Sequence, residues 1–233
     1  PHPASRVVND ASQIGPAAAE LTFPIIIKPN IGGSGALMRR FDSAVELREA
    51  IAAGELEGVF GLDGAAIVQE YHAAQDGSIV RVEMLDGRFL YAIRIDNDPN
   101  QGFNLCPADI CQVPAAQDFD NCPLDLTDQA AISEFDACPI DVAAAPARKI
   151  EAADPPAWVI DAVRRIFEAG DIDVGGVEYL LSDRDGQIYL YDVNALSNFV
   201  GDAPRIVGFD PFVPFVDYLL QRAGAAAPAL TAV

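Results

Sequence analysis

Lys28 stands inside the apolar run FPIIIKPN at 23–30, where an unpaired ammonium would be costly. Its head must reach an edge of the structure or meet an anion. Four residues on comes GGSG, Gly32 to Gly35. Three glycines let the backbone approach an anion closely and turn several N–H groups toward it. A lysine followed by such a loop can hold nucleotide phosphates, although GGSG by itself is equally the flexible tip of a turn. It is not a P-loop, because no Lys-Ser or Lys-Thr pair follows the glycines.

A second constellation lies in VEYLLSDRDGQIYLYDVN at 177–194. Strand side chains alternate faces, so Asp192 and Asn194 share a side, with Glu178 on the preceding strand. Two carboxylates and an amide offer the hard oxygens that suit Mg²⁺. The same pattern would also make a solvated polar face of an antiparallel sheet.

The elements that must position these groups can be read around them. The run 23–30 is a buried strand that returns through ALMRRF as a hairpin with the glycine loop at its tip. Ser43 and Glu46 form a capping box for a helix that buries Leu47 and Ile51 and ends at Gly54. AAIVQEY is a strand, and SIVRVEML and RFLYAIRI are two more joined through the tight-turn pair Asp86-Gly87. A helix starts at Asp154, carries Val159, Val163 and Ile166, and stops at Gly170. A last helix runs from about Pro211 to Arg222, capped by Asp210. Antiparallel strands with a few helices make the class α+β rather than a doubly wound sheet.

The chain has 233 residues, 51% of them apolar, enough for one large domain or two joined lobes. Thirty-five acidic residues against 15 basic ones give a net charge of -20, which argues against nucleic acid and against an anionic membrane surface. No apolar run is long enough to span a bilayer. Four cysteines in a chain of this size fit reduced thiols in the cytoplasm better than a disulfide scaffold.

Taken in order, FPIIIKPNIGGSG, IVQEYH, RVEML to YAIRI and GGVEYLL to YDVN resemble the ATP-grasp ligases, over about 23–220. The likeness is to the branch that ligates glutamate to a ribosomal protein and, more loosely, to D-alanine–D-alanine ligases. It implies two lobes with ATP bound between antiparallel sheets, the small lobe at 23–68 and the large lobe at 69–222, followed by a tail at 223–233. Residues 1–22 are expected to be a linker from a missing amino-terminal domain.

The resemblance also assigns roles. Lys28 contacts the α- and β-phosphates, and Gly33, Ser34 and Gly35 form the mobile loop over them. Gln69, Glu70, Tyr71 and His72 form the hinge, with backbone groups pairing to adenine and Glu70 accepting from its amino group. His72 is used through its backbone rather than as a base. Arg81 and Arg94 face the transferred phosphoryl group and the acyl substrate, and Asn104 lies near the phosphates. Glu178, Asp192 and Asn194 hold two Mg²⁺ ions, and Ser197 and Asn198 border the acyl substrate.

Departures accompany the likeness. The metal carboxylates run Glu then Asp, where that branch has Asp then Glu. Ile79 replaces its aspartate, leaving Asp76 as a candidate for the ribose. Cys106 and Pro107 replace its basic residues, so substrate specificity need not transfer. The implied partners are ATP and a small carboxylate or peptide. The implied reaction is ATP-dependent ligation through an acyl phosphate, the alternative being a non-catalytic ATP-binding regulatory module. Trp158 and the aromatics of FDPFVPFVDY are read as core.

An insertion at about 103–150 carries a repeat. FNLCPAD, FDNCPLD and FDACPID begin at Phe103, Phe119 and Phe135 and set Cys106, Cys122 and Cys138 in equivalent positions, with Cys111 outside. Three thiols with three aspartates offer a metal or cluster site, but the spacing matches no usual zinc pattern, and a tandem duplication in a tolerant loop is the preferred reading.

Overall fold

In β2 (Ile25–Pro29), Ile25 and Ile27 enter one core, which leaves Ile26 and Lys28 on the other face. That core is closed by α1 (Ile14–Ala19) and α2 (Ala44–Ala52), through Ile14, Ala17, Leu47 and Ala50. The structure, a computed structural model, describes residues 1–33, 35–97, 103, 105, 148–197 and 199–224. The first sheet is antiparallel, in the order β1-β4-β2-β3, with β1 at Ser5–Val8, β3 at Arg39–Phe41 and β4 at Ala66–Glu70. The Ser43 cap of α2 forms, with Ser43 Oγ accepting from Glu46 N–H at 3.3 Å, whereas Glu46 Oε2 returns not to Ser43 as in a capping box but to Asp42 N–H, at 2.9 Å.

The opening segment is not a linker. Residues 5–8 pair with β4 along their whole length, and Val8 and Ile14 are 2% and 0% exposed. The Ala-rich stretch at 17–19, which suggested an unstructured tether, is instead part of α1, whose small side chains let it lie close to the sheet.

The second sheet is antiparallel, ordered β7-β6-β5-β8-β9, with β5 at Ser78–Leu85, β6 at Arg88–Asp96, β7 at Ile150–Ala152, β8 at Val174–Leu181 and β9 at Ile188–Asn194. One face carries α3 (Ala157–Gly170), whose Val159, Val163 and Phe167 pack on Val80, Val82, Met84 and Val177. The opposite face carries Ile79, Tyr91, Ile93 and Leu180, covered by Phe199, Val200 and the start of α4 (Ala203–Ile206). Phe209, and Phe215 from α5 (Phe212–Arg222), complete that layer. Together the two antiparallel sheets and their helices make the α+β class.

Local chemistry accounts for the boundaries. Asp86 and Gly87 both have positive φ, 51° and 69°, as a two-residue hairpin turn requires. The α3 helix begins after Pro156, later than Asp154, and ends in a left-handed Asp171. The strand β7 falls in a tract whose composition gave no strand signal, and Trp158 is 49% exposed rather than in the core. The repeat with Cys106, Cys111, Cys122 and Cys138 lies outside the described residues. Among the described residues, no helix is long and apolar enough to cross a membrane.

Two bulges interrupt the second sheet. Between the pairs Glu83–Tyr91 and Met84–Phe89, β6 carries one extra residue, Leu90. Between Glu178–Asp192 and Tyr179–Leu190, β9 carries Tyr191. A bulge re-aims the side chains beside it and increases the local twist.

Because Ile14 belongs to the first core, Ile14→Ala should lower unfolding stability in urea by roughly 2–5 kcal/mol. A linker position would change it by no more than about 0.5 kcal/mol.

Candidate active site

Lys28 projects from β2 across to β9. Its Nζ donates to the Tyr191 backbone carbonyl at 3.1 Å and to Asp192 Oδ1 at 3.2 Å, with 7% of the residue exposed. The anion demanded by a lysine in an apolar strand is therefore Asp192, 164 residues away in sequence. Asn194 donates from Nδ2 to Asp192 Oδ2 at 3.1 Å, as expected of residues two apart on a strand.

Glu178 pairs directly with Asp192. Burial, and then Asp192, push the Glu178 carboxyl above its ordinary range, while Arg81, the Tyr191 hydroxyl and Lys28 pull it down. Tyr191 donates from its hydroxyl to Glu178 Oε2 at 2.8 Å, and burial and Glu178 hold that hydroxyl well above its ordinary value. The bulge lets Tyr191 and Asp192, adjacent in sequence, both serve this cluster.

Arg81 faces Glu178 from β5, with Nη1 at 3.4 Å from Glu178 Oε1. Its Nε donates to Glu83 Oε1 at 2.6 Å. Burial works against the guanidinium charge, but Glu83 and Glu178 outweigh it and raise the Arg81 pKa. Glu83 is fully buried, and its Oε2 accepts from Ser197 Oγ at 2.7 Å. Neither Glu83 nor Tyr191 was recognised from sequence. Glu83 shares the alternation of Arg81, two residues away, and that was the available signal; the bulge at Tyr191 has none.

Gly176 makes room for the Arg81–Glu83 pair. A Cβ there would lie 2.9 Å from both Arg81 Nε and Glu83 Oε1. Gly33 and Gly35 sit in the β2–β3 connection as expected. Gly35, at φ +70°, lies against the Phe103 backbone, where a Cβ would come within 2.6 Å. Ser34, Asn104 and Asn198 fall outside the described residues.

Two of the expected residues direct their side chains away from this cluster. Arg94 is not beside Arg81. In an unbulged hairpin around Asp86-Gly87, it would pair with Ile79 and share the Arg81 face. The extra Leu90 pairs it with Val80 instead, on the face covered by α3. There Arg94 bonds Asp76, and Ser78 Oγ at 2.6 Å, so the acid considered for the ribose is also engaged.

Glu70, paired with Ile25, faces the first core, and its Oε1 accepts from Thr22 N–H at 2.7 Å. The Glu70 and Tyr71 N–H groups donate to the Ala4 and Pro24 carbonyls. Gln69 donates to Ser5 Oγ at 2.9 Å. The Glu70 carboxylate is thus directed away from Lys28 by strand alternation.

His72 is 8% exposed, with Nδ1 2.8 Å from Ser182 Oγ and its ring 4.3 Å from that of Tyr189. Burial, and then Arg184, lower its pKa, against the pull of Glu70, Asp185 and Asp183.

Lys28 and Arg81 are thus gathered with Glu83, Glu178 and Asp192, three acids against two cations. Among the described residues, no buried side-chain polar atom lacks a partner, and no three His, Cys, Asp or Glu side chains form a metal-holding group. Glu178, Asp192 and the Asn194 amide are nonetheless a hard-oxygen set with surplus negative charge, which fits Mg²⁺ completed by water or phosphate oxygens.

No family model and no curated protein matches the sequence. The fold has counterparts among solved structures. The ATP-grasp ligase PsnB with a minimal precursor superposes at a TM-score of 0.55 and 20% identity, over 96% of this chain and 55% of that one. PsnB with the precursor peptide PsnA2 and AMPPNP gives 0.55 and 20%, over 96% and 54%. A D-alanine–D-alanine ligase from Bacillus anthracis, complexed with ATP, gives 0.54 and 19%, over 94% and 60%. The chain has the ATP-grasp fold, and it spans little more than half the length of these proteins.

Gly176→Ala should destabilise the protein by roughly 1–3 kcal/mol in urea titrations, because the buried Arg81–Glu83 pair must shift. Gly15→Ala, whose Cβ meets nothing within 4 Å, should be neutral or stabilising by up to about 1 kcal/mol.

The lowered His72 pKa has a signed effect on stability. The unfolded chain binds this proton more readily, so the His72 contribution is complete above pH 6.5 and is lost as pH falls toward the depressed folded value. Unfolding curves from pH 7 downward should therefore flatten in His72→Gln relative to the parent.

Proposed function

We propose that this chain is the ATP-binding core of a ligase that activates a carboxylate with ATP and Mg²⁺. The observation that carries the reading is the convergence of Lys28 from one sheet with Arg81, Glu178 and Asp192 from the other, in a chain with the ATP-grasp fold. PsnB and the D-alanine–D-alanine ligase are ligases by name, and their structures hold AMPPNP or ATP; PsnB has also been solved with Mg and ADP. The resemblance to the ribosomal-protein glutamate ligases belongs to the same reading.

In this proposal, a substrate carboxylate attacks the γ-phosphorus of ATP, giving an acyl phosphate and ADP. An amine or another nucleophile then displaces phosphate. Lys28 and Arg81 offset charge on the phosphates, acting by position and electrostatics rather than by covalent chemistry. Glu178, Asp192 and Asn194 would hold the magnesium, which offsets the charge that develops as the phosphoryl group moves. The substrate carboxylate and its acceptor lie toward the turn that carries Ser197. Arg94 has no part in this set, because it lies on the other face of the sheet.

Three carboxylates beside two cations disfavour ATP alone, so nucleotide binding should require the metal. Calorimetry with AMPPNP should give binding in magnesium and little in excess chelator. Folded protein that binds under neither condition would exclude the proposal. Asp192→Asn should lower turnover by about 10²–10³-fold while weakening AMPPNP binding much less. Equal losses in both would leave Asp192 a structural role only.

A further inference from the structure

We infer that Glu83 is a positioning residue that ties Arg81 and the turn bearing Ser197 into one unit, aiming the guanidinium at the γ-phosphoryl group. The inference rests on the ATP reading above. Glu83 is fully buried, an expensive place for a carboxylate without a specific duty to its neighbours. Its two oxygens are divided between two elements. Oε1 takes the Arg81 Nε proton at 2.6 Å, and Oε2 takes the Ser197 hydroxyl proton at 2.7 Å.

The choice of nitrogen matters. A guanidinium has a planar fork, and a carboxylate that engaged both Nη groups would occupy the edge suited to a phosphate or carboxylate. Glu83 holds Arg81 by Nε, from behind. The Nη1 side then faces the cluster, in a looser 3.4 Å contact with Glu178 Oε1. The Nη1–H can turn its hydrogen bond from Glu178 to a phosphoryl oxygen without disturbing the Nε anchor. Gly176 contributes by leaving the space in which the Arg81–Glu83 pair lies flat against β8.

The same carboxylate sets the reach of the following turn. Ser197 comes three residues after Asn194, the last residue of β9, and its hydroxyl is fixed to the group that fixes Arg81. A shift of either element is therefore transmitted to the other through one buried side chain.

The test compares affinities for Mg²⁺·AMPPNP and Mg²⁺·ADP, whose ratio isolates the γ-phosphoryl contribution and needs no acceptor. Wild-type protein should favour AMPPNP. In Glu83→Gln, that preference should fall about tenfold, with ADP affinity kept within about twofold. Arg81→Lys should lose the same preference, and the double variant should lose no more than either single one. A parallel fall in both affinities, or an unchanged ratio, would reduce Glu83 to a packing role.

Wild-type protein that binds neither nucleotide would remove the ATP reading and this inference together, whereas normal discrimination surviving in Glu83→Gln removes only the inference. The Arg81 Nε–H resonance of the wild-type protein, assigned by its loss in Arg81→Lys, gives a check that does not depend on Glu83→Gln folding. It should exchange slowly with water, and fast exchange would contradict the anchor.

Discussion

Glu178 and Asp192 lie opposite each other on paired strands, the first of them buried, and two carboxylates so placed must be held by something. Lys28 and Arg81 are what hold them. Each cation comes from a different sheet, so satisfying the acids also joins the sheets. Removing one partner from a buried ion pair typically costs about 3–5 kcal/mol, since it leaves an uncompensated charge. The packing around the cluster follows from this constraint: Gly176 stays small, Glu83 backs Arg81 from below, and Tyr191 turns its hydroxyl onto Glu178.

Much of this was legible in the sequence, for identifiable reasons. Lys28 declared itself by being charged within an apolar strand, and its need for an anion is met by Asp192. The Ser43 and Glu46 cap and the Asp86-Gly87 turn rest on local chemistry that operates in any context. The shared face of Asp192 and Asn194 followed from simple alternation, but a regular ladder would set Glu178 opposite Tyr191, and only the bulge brings Asp192 opposite it. What escaped depends on register and distant packing. The resemblance set Arg94 with Arg81, and the one extra residue, Leu90, turns it to the other face of the sheet. Glu70 looked available in a motif but is directed to the first core by the same alternation that buries Val68. The residues at 1–22 looked like a tether because Ala and Pro carry little periodicity, yet small side chains are what allow α1 to sit close to its sheet.

Charge is distributed unevenly between the surface and the junction of the sheets. A chain with net charge -20 concentrates two of its 15 basic residues, both nearly buried, at the junction of its sheets. The local field there is set by those two groups and the acids they face, at separations well inside a Debye length, while the exposed acids are screened by salt. Net charge therefore bears on solubility and on excluded partners, and says little about what this junction can hold.

Tyr191 is supernumerary in its ladder. On one side of it Leu190 pairs with Tyr179, and on the other Asp192 pairs with Glu178. If position 191 were deleted, Leu190 would run directly into Asp192 in ordinary alternation, and both pairs would stand. Strands seldom accept a change of length, because a one-residue slip turns every later side chain to the wrong face. Here the extra residue is phase-neutral: what goes with it is a hydroxyl on Glu178 and a carbonyl that accepts from Lys28. The strand could thus lose one residue at its most chemically sensitive point while Asp192 and Asn194 keep their faces, which a regular ladder would not allow.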